Sequence, residues 1–133
     1  MTYFWQDYDL INPYRSHTPR GFYDSVKGHT GGDWATPTGT PLTLPVNMEV
    51  AQVLDQNQMG KTLYLRDQDG NILVFSHLSS VSVYKGDLVQ AGKVFALTGN
   101  TGSATTGPHL HFEVISQTPE DPVMIVTGKQ IRY

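Results

Sequence analysis

Five histidines and the lack of any cysteine decide which chemistry this sequence could carry. Without cysteine, the chain can form no disulfide, no thiolate zinc site and no cysteine nucleophile. A metal ion would therefore have to be bound by imidazole and carboxylate groups. The imidazoles belong to His17, His29, His77, His109 and His111.

Two of these histidines lie two residues apart in the segment GPHLHFEV, which is typical of a β-strand. Because side chains alternate between the two faces of a strand, His109, His111 and Glu113 share one face. The two imidazoles would be about 7 Å apart, close enough to address one site. An isolated His-x-His pair is more often part of a solvated polar face, so the spacing leaves both alternatives open. The other face would enter the core with Leu110, Phe112 and Val114.

His77 ends an apolar segment. Alternation over Ile72 to His77 places Leu73, Phe75 and His77 on one face. We therefore expect His77 to be shielded from bulk water.

A histidine and a carboxylate also occur four residues apart, in His29-Thr30-Gly31-Gly32-Asp33. The two glycines would let the segment curl back so that His29 and Asp33 face one ion. Such a pair is weak evidence by itself, because surface coincidence is the commoner explanation.

The elements that must position these residues are predicted to be β-strands. Thr and Val far outnumber Ala and Glu, and no segment shows helical periodicity, so we predict an all-β fold. The segment Asp67 to Gly70 contains the Asp-Gly pair of a tight hairpin, which makes its flanking strands antiparallel neighbours. The predicted strands are Glu49 to Leu54, Lys61 to Arg66, Asn71 to His77, Val94 to Thr98 and Leu110 to Ile115.

The length of 133 residues predicts one domain, residues 1–133. The segment from Met1 to Gly32 is rich in Tyr, Pro, Gly and Ser without a period, and we interpret it as a long loop wrapped on the sheet. Loops of that length in small domains are usually functional.

Composition and motifs exclude several classes of protein. A net charge of −3 without a basic cluster argues against nucleic-acid binding. No segment is apolar enough for a signal peptide or a membrane span, so we expect a soluble chain, which is either a complete cytosolic or phage-delivered product or one whose export signal is absent from this sequence. The glycine-rich stretches Gly28 to Gly32 and Gly99 to Gly107 lack the context of a phosphate-binding loop, and we expect them to form sharp turns beside a shallow cleft.

At this point an ordered set of segments resembles a known family. GHTGGDW, TPTGTPL, FSHLSS and VYKGDLVQAGKVFALTGNTGSATTGPHLHFEV are similar to the lysostaphin-type zinc endopeptidases of the M23 class, which cut the peptide part of bacterial peptidoglycan. The similarity covers residues 28–114, with 1–27 as an N-terminal loop segment. It implies an all-β fold, an antiparallel sheet sandwich of the duplicated hybrid-motif type, with long loops walling a groove.

The resemblance also implies roles for particular residues. His29, Asp33 and His111 would bind one Zn²⁺ per chain and leave a fourth position for water. His77 and His109 would be the unliganded catalytic pair. His109 would be the general base and later proton donor, and His77 would orient the substrate carbonyl or stabilise the oxyanion, although the two assignments could be exchanged.

Other residues carry weaker expectations. Tyr23 could donate to the oxyanion, as a tyrosine of this region does in some relatives, or simply pack. Glu113 would orient a histidine rather than bind the metal. His17 matches no motif position, and we interpret it as a loop residue.

Two alternatives come from other classes of protein. The first is an inactive M23-like module that binds cell wall or activates amidases, although such members usually lack ligands that this chain retains. The second is a biotinyl or lipoyl carrier domain, which would need a lysine at a hairpin tip, and neither Lys85 nor Lys93 has that context. The main hypothesis implies a monomer that acts on peptidoglycan peptides outside the cell or in the cell wall, or a phage-encoded lysin or virion component.

Overall fold

The computed structural model describes residues 10–12 and 32–115, and every regular element within them is a β-strand. None of the described residues belongs to a helix that is long and apolar enough to cross a membrane. The strands are β1 (Leu10–Asn12), β2 (Gly32–Trp34), β3 (Pro41–Leu42), β4 (Met48–Gln56), β5 (Gly60–Arg66), β6 (Ile72–Leu78), β7 (Ser80–Val81), β8 (Leu88–Val89), β9 (Ala96–Leu97) and β10 (Leu110–Ile115).

The strands form two sheets in which neighbours are antiparallel. The larger sheet has seven strands in the order β1-β2-β10-β6-β5-β4-β8, and the smaller has three in the order β3-β9-β7. Strand β10 therefore lies between β2 and β6, which are far apart in the sequence. This order brings the segments that contain Asp33, His77 and His111 to adjacent strands of one sheet.

The sequence predicted the longer strands well. The all-β class is confirmed, and β4, β5, β6 and β10 lie within one or two residues of their predicted bounds. The predicted strand from Val94 to Thr98 is reduced to β9, which has only two residues. The long-loop interpretation of Met1 to Gly32 needs correction, because Leu10–Asn12 forms a strand that pairs with β2.

The hairpin between β5 and β6 is also confirmed. The Asp67 carboxylate accepts hydrogen bonds from the backbone amides of Asp69 and Asn71, each at 2.9 Å. Gly70 adopts a φ of 84°, a conformation that favours glycine. The turn thus fixes β6 beside β5, and with it the position of the segment that ends near His77.

The apolar core contains residues from both sheets. Phe75 on β6 stacks on Phe112 of β10 with ring centroids 4.6 Å apart, and it meets Phe95 edge-on at 5.3 Å. Burying one such aromatic side chain contributes about 1.5–3 kcal/mol. As predicted, the apolar residues of β10 are buried: Leu110, Phe112 and Val114. This packing fixes which face of β10 is left for the histidines.

Candidate active site

A buried carboxylate and imidazole form the centre of the candidate site. Asp33 on β2 and His111 on β10 are direct cross-strand partners. The His111 Nδ1 atom lies 2.9 Å from Asp33 Oδ1, and His111 is 4% and Asp33 1% exposed. The next residue, Trp34, packs in the core against Phe112 at 6.1 Å, so alternation directs Asp33 to the opposite face.

His111 is held between two carboxylates. Its Nε2 atom lies 3.6 Å from Glu113 Oε2, on the side of the ring away from Asp33. Burial opposes protonation of the imidazole, but the hydrogen bond to Asp33 and the negative charges of Asp33 and the nearby Glu113 outweigh it and raise the pKa of His111 to about 9. In the metal-free protein the ring is therefore a cation at neutral pH.

His77 reaches the same site through a β-bulge. Lys61 pairs with Leu78, and Leu63 pairs with Phe75, so Ser76 and His77 together lie opposite Thr62. His77 has a φ of 60°, a left-handed conformation that is uncommon outside glycine. This conformation interrupts the regular alternation of side chains in β6 at His77.

The predicted face of His77 is wrong, because the bulge places this residue on the opposite face of the strand. Cross-strand pairing places Phe75 beside Phe112 in the core, and Ser76 beside His111 on the other face. Strict alternation would return His77 to the core face, as the sequence pattern predicted. Instead its ring lies 6.3 Å from that of His111, on the histidine face. The expected shielding from water is present, because His77 is only 2% exposed.

A backbone carbonyl fixes the tautomer of His77. The Nδ1 atom lies 2.7 Å from the carbonyl oxygen of Thr101, which can only accept, so Nδ1 carries the hydrogen. Burial lowers the pKa of His77, and the nearby charge of His109 and His111 lowers it further, although the bond to Thr101 opposes this. At neutral pH the ring is uncharged, with its lone pair on Nε2.

His109 is held in the same way. Its Nδ1 atom donates to the carbonyl of Gly107 at 2.9 Å, and Thr105 Oγ1 lies 3.2 Å away. The Nε2 atom lies 3.8 Å from Asp33 Oδ1, and the ring centroid is 4.7 Å from that of His77. His109 immediately precedes β10. An isolated antiparallel β-bridge pairs it with Gly99, which lies two residues after β9 of the smaller sheet.

The structure therefore brings four of the predicted site residues together: Asp33, His77, His109 and His111. The predicted ligand His29 lies outside the described residues, as do Tyr23 and His17. Within residues 32–115, no three His, Cys, Asp or Glu side chains form a group that could hold a metal ion by themselves. Asp33 and His111 supply one oxygen and one nitrogen donor side by side on paired strands, which fits two members of a zinc ligand set.

The glycine-rich stretch before β10 makes contacts with the candidate site that the sequence did not reveal. We expected it only to turn sharply beside a cleft, yet carbonyls of Thr101 and Gly107 orient the two catalytic candidates. Backbone carbonyls carry no residue signature, so only the position of the stretch, just before the His-x-His pair, could have indicated this role.

Buried histidines around one carboxylate, held on an antiparallel β fold, supply the kinds of group that acid–base chemistry requires. A family model described as "Peptidase family M23" matches residues 27–123. The chain belongs to this family, which confirms the resemblance seen in the sequence.

Solved structures and curated relatives agree with this assignment. The catalytic domain of the antimicrobial peptidase lysostaphin from Staphylococcus simulans is 27% identical with a TM-score of 0.79, and the match covers 92% of this chain and 95% of that one. A zinc-containing peptidase from Vibrio cholerae is 33% identical with a TM-score of 0.76, covering 88% and 36%. The peptidoglycan DD-endopeptidase ShyB of Vibrio cholerae is 38% identical over 105 residues, 79% of this chain and 24% of the relative. The chain thus spans about a quarter of the length of the curated relatives it matches.

Proposed function

We propose that this protein is a zinc-dependent endopeptidase that hydrolyses peptide bonds in the stem or cross-bridge peptides of bacterial peptidoglycan. The observation that carries the proposal is the buried Asp33–His111 pair with two further imidazoles directed to the same face. The relatives support the substrate class, since ShyB is described as a peptidoglycan DD-endopeptidase. Membership in a peptidase family supports the reaction.

The proposed metal ligands are His29, Asp33 and His111. When bound there, zinc supplies Lewis acidity that polarises a carbonyl oxygen and makes water more acidic. Glu113 would hold the His111 ring from its Nε2 side, where the separation is 3.6 Å. Glu113 is therefore assigned to orientation of a ligand, with no direct contact to the metal.

His109 is the better candidate for the general base. Its Nδ1 hydrogen is committed to Gly107, so Nε2 has the lone pair that accepts a proton from the attacking water. That atom is 3.8 Å from Asp33 Oδ1 and therefore lies beside the ligand pair. After taking the proton, His109 would pass it to the nitrogen of the leaving amine.

His77 would assist as a neutral partner. Its lowered pKa keeps it uncharged while His109, at a ring separation of 4.7 Å, takes up a proton. Two cations at that distance would repel each other. With Nδ1 bound to Thr101, neutral His77 offers an acceptor at Nε2, which suits orientation of a water or substrate N–H. Stabilising an oxyanion would require a second proton on the ring, so orientation is the role we favour.

We further propose that the protein acts as a monomer on peptidoglycan outside the cytoplasm, in the cell wall or as part of a phage lysin. Tyr23 remains a candidate oxyanion donor on the basis of the family resemblance.

The deciding experiment is digestion of purified peptidoglycans that differ in their cross-links. One substrate carries glycine bridges and the other has direct diaminopimelate links, and each is incubated with the zinc-loaded protein with and without chelator. Mass spectrometry of released fragments should show peptide cleavage in at least one substrate, abolished by the chelator and restored by zinc. A zinc-loaded protein that releases no peptide from any peptidoglycan chemotype would instead indicate the alternative, an inactive M23-like module.

A further inference from the structure

We propose that Thr101 is a positioning residue that holds the His77 imidazole in its working tautomer and orientation. The inference rests on the proposed function only in giving His77 a part in catalysis. The hydrogen bonds of Thr101 themselves are features of the fold, and they can be tested without any substrate.

Thr101 contacts His77 through its backbone. The His77 ring donates from Nδ1 to the Thr101 carbonyl at 2.7 Å, and the Thr101 amide lies 3.5 Å from the His77 carbonyl. The His77 amide donates to the Met59 carbonyl at 2.8 Å. Both the ring and the backbone of His77 are thereby tied to neighbouring segments.

The side chain of Thr101 fixes that backbone in place. Its hydroxyl accepts a hydrogen bond from the Lys61 amide at 3.1 Å and donates one to the Leu78 carbonyl at 2.7 Å. Lys61 and Leu78 are cross-strand partners at the edge of the bulge. The hydroxyl thus bridges β5 and β6 next to the residue whose ring the carbonyl holds.

Two glycines let Thr101 lie flat against the start of β5. A Cβ atom on Gly60 would lie 2.3 Å from Thr101 Oγ1 and 2.4 Å from its carbonyl carbon. A Cβ on Gly102 would lie 2.3 Å from the Gln58 carbonyl oxygen. Real Cβ atoms do not approach so closely, so only glycine fits at positions 60 and 102 while Thr101 lies in this place.

The conformation of His77 explains why such support is needed. A non-glycine residue at a φ of 60° is strained and persists only where its surroundings hold it. The Thr101 hydroxyl supplies part of that support, because it spans the two strands across the bulge. Removing the hydroxyl leaves the Lys61 amide and the Leu78 carbonyl without this partner, and the loop carbonyl would move away from the ring.

The test compares Thr101→Val and Thr101→Ala, which lack the hydroxyl, with Thr101→Ser, which retains it. The matched control is Thr98→Val, because the Thr98 hydroxyl likewise accepts from an amide, that of Thr40, and donates to a carbonyl, that of Pro37. The first readout is the imidazole ¹⁵N–¹H NMR spectrum of the zinc-loaded protein, with the His77 signal assigned by its loss in His77→Gln.

We expect a protected Nδ1–H signal from His77 in the wild type, Thr101→Ser and Thr98→Val, and its loss or shift in Thr101→Val and Thr101→Ala. In peptidoglycan cleavage, the last two variants should lose about 10- to 100-fold in kcat with KM nearly unchanged, since small misplacements of a catalytic group have effects of this size.

Several outcomes would overturn the proposal. These are a wild-type His77 protonated on Nε2 alone, an intact Nδ1–H signal in both hydroxyl-free variants, or equal loss of that signal in Thr98→Val. A fall in kcat with the signal intact would also overturn it, because the effect would then not pass through His77. If the wild type cleaves no peptidoglycan, the proposed function fails while the NMR comparison still decides the role of Thr101.

Discussion

The cationic His111 of the metal-free protein should make its stability fall as the pH rises from 6.5 to 9. Its pKa is 6.5 in an ordinary setting and about 9 in the fold, so the folded state binds the proton more tightly. The resulting stabilisation is fully present below pH 6.5 and is lost as the pH rises through 9. At about 1.36 kcal/mol per pH unit, this difference corresponds to about 3 kcal/mol of unfolding free energy.

Urea unfolding in excess chelator, repeated at intervals between pH 6 and 9.5, measures this loss. The matched control is His111→Gln, which removes the titrating ring and should lack that part of the pH dependence. His77 acts in the opposite direction, because its lowered pKa gives stability that is lost only as the pH falls below about 6.5, and the control retains this residue. Equal pH profiles for the wild type and His111→Gln would refute the reasoning that the two carboxylates hold His111 as a cation.

Three further predictions follow from the site and its supports. His111→Ala should lose bound zinc, whereas His109→Ala should keep it and lose about 10²–10⁴-fold in activity; metal analysis beside the cleavage assay checks both, and a metal-free His109→Ala protein would mean that the two roles are reversed. Zinc binding at pH 7 should release a proton from His111, because its pKa is about 9 in the metal-free fold; calorimetry in buffers of different ionisation enthalpy measures the release, and buffer-independent heats would contradict it. Gly60→Ala should destabilise the protein by more than about 1–3 kcal/mol, because strain at its φ of 67° is added to the clash with Thr101; the control Gly39→Ala has a φ of 90° and open space, so urea unfolding should show strain alone.

The parts of the site that local pattern could predict are those on regular strands. Alternation in β10 placed Leu110, Phe112 and Val114 in the core and left His111 and Glu113 for the other face, which the structure confirms. The signal was reliable there because three apolar side chains in phase fix the register of a strand against the core.

The face of His77 could not be predicted because it depends on a bulge. Alternation assumes one residue per step, whereas the pairing of β5 with β6 places Ser76 and His77 opposite Thr62 alone. What holds that bulge is distant in sequence: the carbonyls of Met59 and Thr101. The other two-residue strands were missed for a simpler reason, since a segment such as Pro41–Leu42 is too short to show a period.

The contact between Asp33 and His111 was equally beyond local pattern, because 78 residues separate the two. Only the family resemblance placed them in one ligand set. Their pairing requires β10 to insert between β2 and β6, so it reflects the order of the whole sheet.

That insertion also has a consequence for how the candidate site forms. Pairings between distant segments form slowly, since the loop entropy must be lost before the contact stabilises anything. β10 is the last described strand in the sequence and joins β2 to β6, so synthesis must pass residue 111 before Asp33 can meet its partner. A growing or partly folded chain can therefore contain the β4–β5–β6 meander and still lack the buried pair. Catalytic competence would then appear only when the sheet is complete.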